Sequence, residues 1–209
     1  MVIEVDYLSR ARDLQDLVRG GADEAEAERR VADRVVAAFC DAGLYKIAAP
    51  RAIGGGETDP ETQIRVIEAI ARADGATGWT LMIGVENVGI LGSALDPELA
   101  RRLYADPALV VAGALNPLGR AVGEGDGFRI SGRWPFASGC DAAQYFWGQC
   151  IVEQDGERAH EEDGRVRLIE CVVPRAEFTI ADTWRVSGLR GSGSHDIEID
   201  DVWVPSSHV

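Results

Sequence analysis

Two stretches decide the reading of this chain: residues 127–150, GFRISGRWPFASGCDAAQYFWGQC, and residues 182–205, DTWRVSGLRGSGSHDIEIDDVWVP. Each joins apolar residues at strand spacing to a glycine-rich turn with aromatic flanks. In the second, Ile197, Ile199, Val202 and Val204 punctuate residues 195–204. Around these two, Val110 to Ala114 reads as a short apolar strand, and Val166, Leu168, Glu170 and Val172 as another. Asp126-Gly127 and Asp155-Gly156 carry the chemistry of tight hairpin turns. Several short strands at such intervals predict an antiparallel sandwich or barrel over residues 109–209.

Before residue 108 the period changes to that of helices. Residues 22–42 place Ala27, Val31, Val35, Ala38 and Phe39 on one stripe, with Gly43 where a helix would stop. Thr58-Asp59 ahead of Pro60 is a start signal, and Ile64, Ile67, Ile70 and Ala71 supply an apolar face. Residues 77–93, TGWTLMIGVENVGILGS, hold almost no charge, which predicts a helix buried on most sides. Asp96-Pro97 opens a short helix ending near Tyr104. The expected fold is therefore α+β: an N-terminal α-helical domain over 1–108 packed on a β-domain over 109–209.

Composition narrows the function. Among 209 residues the net charge is −14, which argues against nucleic acid and anionic membrane as partners and disfavours unguided attraction of an anionic thioester. The four cysteines form no C-x-x-C pair, and MVIEVDYLSR lacks the apolar centre of a secretory signal. Free thiols in a reducing, cytoplasmic setting are expected. No apolar run approaches the ~20 residues that span a bilayer.

Several familiar sites are missing. No G-x-G-x-x-G follows a strand and opens a helix, and Gly54-Gly55-Gly56 lacks the Lys-Ser/Thr of a phosphate loop. His160, His195 and His208 lack metal-ligand spacing. Ser194-His195-Asp196 invites a hydrolase reading, but strand neighbours point to opposite faces and cannot form a relay.

Four segments carry chemistry when taken together: Gly132 to Asp141 (GRWPFASGCD), Ala112 to Ala121 (AGALNPLGRA), Asp182 to Asp196 (DTWRVSGLRGSGSHD) and Ala73 to Trp79 (ADGATGW). They resemble the acyl-CoA dehydrogenase superfamily across nearly the whole chain, and within it the flavin-dependent two-component monooxygenases. The dehydrogenases' Thr-Glu-Pro is replaced here by Leu115-Asn116-Pro117, and their Gly-Ser-Asp is not present. The resemblance implies a flavin cofactor, FAD or FMN, with Phe136 beside its ring and Ser138 hydrogen-bonded at the reactive edge. Leu115 and Asn116 would hold the pyrimidine edge. Arg190 could reach a phosphate or a carboxylate, or pair with a neighbouring domain. Where phenol-hydroxylating members place a substrate-binding histidine, this chain has Glu86 and Asn87, the substrate candidates.

The resemblance also implies a small-molecule substrate, a flavin reductase as partner, and either a homo-oligomer or association with a C-terminal half. Members of the family continue into a C-terminal helical bundle that carries the dehydrogenase base. No residue up to Val209 inherits that catalytic role, and the isolated chain is expected to bind flavin weakly and turn over slowly. Two alternatives stand beside the monooxygenase: an FAD-dependent acyl-CoA dehydrogenase, and an inert remnant or one half of a split enzyme.

Overall fold

A computed structural model describes residues 5–209; the first four residues of MVIEVDYLSR lie outside the described residues. Helices occupy the first half: α1 Tyr7–Asp13, α2 Gln15–Glu28, α3 Asp33–Asp41, α4 Pro60–Ala71, α5 Gly75–Ala94 and α6 Pro97–Tyr104. Strands follow: β1 Val111–Glu124, β2 Gly127–Ala137, β3 Tyr145–Gln154, β4 Glu157–Arg158, β5 Leu168–Pro174, β6 Thr179–Ala181 and β7 His195–Pro205. The helical-then-sheet order is as expected.

The helix starts follow their caps. The Asp59 carboxylate accepts the Thr62 N–H ahead of Pro60, and Asp96 accepts the Glu98 and Leu99 N–H groups ahead of Pro97. Each such cap is worth about 1 kcal/mol. Two expected faces shift. The single helix over 22–42 is broken after Glu28, because Arg29 takes a left-handed conformation (φ 58°). There its guanidinium binds Asp182 and the Trp184 carbonyl, a tertiary gain that local propensity does not contain. Val31, Val35 and Phe39 remain buried, whereas Ala27 faces solvent. On α4 the buried residues are Val66, Ala69 and Ile70, and Ile64 is 66% exposed.

Helix α5 is buried on most sides, as its composition demands. Leu81 and Val85 join Phe39, Tyr45 and Ile70 in the helical core. One turn on, Val88 and Leu91 join Val111, Trp147 and Val172 in a core shared with the sheet. With apolar partners on opposite sides, the helix has no polar face to keep.

The strands form one sheet in the order β4-β3-β1-β2-β7-β6, with β5 paired to β3. Its core surrounds Trp134, whose indole N–H donates to the Gln149 carbonyl at 2.9 Å and whose ring lies 5.3 Å from that of Phe146. Gly119 makes room for that indole, since a Cβ there would lie 2.1 Å from the ring. Asp155 and Gly156 both take positive φ in the β3–β4 hairpin, as their turn chemistry requires. The β1–β2 turn, however, consists of Gly125 and Asp126, and Gly127 already belongs to β2. Two further features differ from expectation. β1 runs to Glu124 instead of stopping near Ala114, and it pairs in parallel with β3, so the sheet is mixed.

All four cysteines are free thiols. Among the described residues no helix is long and apolar enough to cross a membrane, and no cluster of His, Cys, Asp or Glu could hold a metal.

Candidate functional site

A cavity of about 320 Å³ opens where α5 meets β1 and the two glycine-rich turns. Its walls are mostly apolar: Trp79, Ile83 and Ile90 from α5, Leu115 from β1, Pro135 and Phe136 from β2, Trp147 from β3, and Trp184 and Leu189 from the loop before β7. Asn87, Asn116, Ser138, Ser192 and Ser194 are its uncharged polar groups, and Glu86 is the one charged residue lining it among the described residues. An apolar hollow with a few convergent polar groups is the usual form of a small-molecule site.

Leu115 and Asn116 reach the cavity by a bulge. Ala114 pairs with Gly148 and Gly119 with Cys150, so residues 115–118 loop out opposite Gln149 alone. Bulges of this kind re-aim side chains beside active sites. Leu115 is left 61% exposed and Leu118 53%.

Phe136 is placed by backbone strain. It has φ 65°, which is uncommon for a bulky residue, and its ring is 66% exposed. The ring meets Trp184 edge-to-face at 6.2 Å. Such a backbone costs on the order of 1–3 kcal/mol and persists where the surroundings over-determine it. Here the next links are fixed: Ser138 N–H donates to the Phe136 carbonyl and Gly139 N–H to the Ser192 carbonyl, both at 2.9 Å.

Ser138 is buried, and its hydroxyl stands in a polar chain. The Trp79 indole N–H donates to Ser138 Oγ at 3.0 Å. Ser138 Oγ lies 2.8 Å from Ser194 Oγ, which lies 2.7 Å from Ser192 Oγ. Asn87 is also buried, but its amide Nδ2 donates to the Val111 carbonyl at 3.2 Å, tying α5 to β1. A Cβ on Gly113 would lie 2.8 Å from both Asn87 Oδ1 and Trp147, so glycine permits that close approach. Glu86 is exposed on the cavity rim, with no hydrogen-bond or ion-pair partner among the described residues.

The turn carrying the serines is laced to the helices. Arg190 Nε lies 3.3 Å from both the carbonyl and the carboxylate of Glu26, and Gly191 packs on Ala25. Of the roles open to Arg190, the structure places it on the neighbouring helical region. His195 turns away from Ser194: its Nδ1 accepts the Thr183 and Trp184 backbone N–H groups, each at 3.2 Å. The Ser194-His195-Asp196 triplet is therefore no relay. Burial pushes the Cys140 thiol up to about 12 and raises Asp141 above the usual aspartate range, so Cys140 is no ready nucleophile.

All six residues singled out from the sequence line this one cavity. Sequence reasoning missed Trp79, Trp147, Trp184, Ser192 and Ser194 as lining groups. Their signal was the crowding of tryptophan and serine around glycine turns, which reads equally well as strand packing.

Residues 10–96 match the family model "Acyl-CoA dehydrogenase, N-terminal domain". Indole-3-acetate monooxygenase of Pseudomonas putida is 34% identical over 187 residues, which are 89% of this chain and 46% of that protein. The FADH(2)-dependent resorcinol hydroxylase, oxygenase component, of Rhizobium sp. (strain MTP-10005) is 32% identical over 98% of this chain and 49% of its own length. The crystal structure of the HsaA monooxygenase from M. tuberculosis superposes with a TM-score of 0.86 at 30% identity, covering 97% of this chain and 51% of that one. The chain thus matches the acyl-CoA dehydrogenase N-terminal domain over residues 10–96 and is similar to flavin-dependent monooxygenases along nearly its whole length. Its relatives lie in the flavin-dependent monooxygenase branch, and it spans about half the length of those relatives.

The superfamily's flavin fits the residues present. The strained, exposed Phe136 offers an aromatic ring, the bulge offers Leu115 and Asn116, and the buried Ser138 lines the same cavity.

Proposed function

We propose that this chain forms the flavin-facing and substrate-facing walls of a flavin-dependent monooxygenase acting on a small organic molecule. The observation that carries the reading is the convergence of the Ser138 hydroxyl, the strained Phe136 ring and the 115–118 bulge on one aromatic-lined cavity. A bound reduced flavin would supply the electrons with which O2 is activated to oxygenate the substrate.

Each residue has a limited task. Phe136 flanks the ring, Leu115 and Asn116 hold its pyrimidine edge, and Ser138 meets its reactive edge with a directed hydrogen bond. Trp79, Ile83, Trp147 and Trp184 exclude water, which protects a reactive site from unproductive discharge. Glu86, exposed on the rim, accepts a hydrogen bond from a substrate O–H or N–H. Asn87 shapes the cavity through its tie to Val111. FAD and FMN both suit this wall, and a separate reductase delivers the flavin reduced. The exposed Leu115, Leu118 and Leu189 suit coverage by further protein, either a second copy or a C-terminal half.

The dehydrogenase alternative fares worse. Its substrate is an anionic thioester, and the cavity's one charged lining residue is a carboxylate. The inert-remnant alternative makes a different prediction, no flavin binding by a folded chain. The test is a titration of the 209-residue chain with FMN and FAD, oxidised and anaerobically reduced, followed by fluorescence anisotropy. Binding of reduced flavin, weakened by Ser138→Ala and Phe136→Gly, supports the proposal. Binding of neither form by a chain with native circular dichroism refutes it.

A further inference from the structure

Trp184 reaches the cavity from a stretch that no ladder holds. Residues 182–189 belong to no helix or strand, yet the Trp184 ring lines the cavity and meets Phe136 edge-to-face. Three bonds tie this residue down. Arg29 donates to its carbonyl at 3.1 Å, and its indole N–H donates to the Leu189 carbonyl at 3.1 Å. Its backbone N–H donates to His195 Nδ1 at 3.2 Å and has no other acceptor among the described residues. The Thr183 N–H shares that nitrogen at 3.2 Å but also has the Ala181 carbonyl at 2.8 Å.

His195 is itself well fixed. It is 6% exposed, opens β7 and pairs with Ala137, the residue after Phe136. An imidazole nitrogen accepts only while it carries no proton. Two N–H groups converge on Nδ1, so the proton of the neutral ring sits on Nε2. The Asp182 carboxylate, 3.7 Å from Nδ1, would suit a protonated nitrogen, but Arg29 and Arg185 already bind it. One imidazole thus joins the strand beside Phe136 to the backbone that carries Trp184.

We propose that His195 is a positioning residue for the site: as the Nε2-protonated imidazole it holds Trp184 against Phe136 and so sets the spacing of two rings that line the cavity. This rests on the flavin reading for its ligand. A half-buried N–H without an acceptor is costly. Deprived of Nδ1, the 182–189 segment shifts until water takes the Trp184 N–H, and the indole leaves its place. His195 is not among the residues lining the cavity, so its influence on a ligand passes through Trp184.

The test compares two amides. An asparagine oxygen stands as many bonds from the backbone as Nδ1, and a glutamine oxygen as many as Nε2. The first measurement is a long-range 1H–15N spectrum of the flavin-free 209-residue chain at neutral pH. Among the three histidines, His195 is identified by the signals lost in His195→Asn. A bare Nδ1 with the proton on Nε2 is expected, and a proton on Nδ1 overturns the proposal. The second is exchange of the Trp184 amide together with the dissociation constant for reduced FMN. Both are expected to rise about threefold to tenfold in His195→Gln, the worth of one hydrogen bond, and to stay near wild type in His195→Asn. Equal behaviour of the two variants, or weaker FMN binding without faster exchange, would mark His195 as merely structural. Should His195→Gln fail to fold, His195→Leu takes its place as the variant without an acceptor. A wild type that binds no FMN refutes the flavin reading, while the tautomer and the amide exchange still decide whether His195 holds Trp184.

Discussion

The cavity has two unlike sides. The turn from Leu189 to His195 is laced down: Arg190 grips Glu26, Gly191 packs on Ala25, and Ser192 and Ser194 are buried in hydrogen bonds. The 115–118 bulge and Phe136 instead leave large apolar groups in solvent, and Phe136 holds a strained backbone to do so. The difference separates two kinds of work. The laced side uses its groups to hold the fold, while the open side gives up stability to present a surface.

If that division holds, substitutions on the laced side should unfold the protein, and those on the open side should leave it folded but unable to bind. The largest expected effect is Gly191→Val. A Cβ there would lie 2.9 Å from the Ala25 side chain and 3.2 Å from its backbone carbonyl, and the backbone cannot yield as a side-chain tip would. Overpacking of this kind costs about 1–3 kcal/mol or more, measurable as a lower urea midpoint. Asn87→Ala follows. It removes the amide donor to the Val111 carbonyl between helix and sheet, at a cost of about 1–3 kcal/mol by the same measurement. An unchanged midpoint in Gly191→Val would mean that the laced side is not held as described, and in Asn87→Ala that the tie between α5 and β1 carries no stability.

Asp141 gives a smaller effect with a definite sign. It sits beside Gly193 on the laced side, and its carboxyl is raised above the ordinary 3.8, chiefly by burial and against the pull of His195 and Arg30. A raised acid holds its proton more tightly in the folded state than in the unfolded chain. Stability from this group is therefore present below 3.8 and lost as pH rises through the raised value. Asp141→Asn cannot ionise, so the difference in urea midpoint should move in the variant's favour between pH 4 and pH 7. A constant difference would show that the folded protein does not penalise the charge.

The same division governs what could be read from sequence. Caps at Asp59 and Asp96, the Asp155-Gly156 turn and the nearly charge-free α5 are local, and each stood where its residues put it. The break at Arg29 depends on Asp182 and Trp184, more than 150 residues away, and no window around residue 29 contains them. The parallel β1–β3 ladder and the 115–118 bulge are likewise set by a partner strand. Ser138 and Phe136 were singled out through family resemblance, as the bare residues fit a strand entering a turn equally well. The serine chain was hidden altogether, because Ser138 and Ser194 are 56 residues apart and meet only when the two turns are laced.

Phe136→Gly is the sharpest test of the comparison because its expected effect on stability is the smallest. Three terms nearly cancel. Glycine adopts φ 65° freely, which releases strain of about 1–2 kcal/mol. It also enlarges the unfolded ensemble, by roughly 0.4–1 kcal/mol, and loses the edge-to-face contact with Trp184, worth about 0.5–1.5 kcal/mol. Since the ring is 66% exposed, little buried area is forfeited. The midpoint should then stay within about 1 kcal/mol of wild type, while flavin affinity falls. Unfolding by several kcal/mol would show Phe136 to be a core residue after all, and its strained backbone would need an explanation in packing. A near-neutral midpoint with lost binding would leave ligand contact as the reason an aromatic ring is held in a conformation that glycine adopts without strain.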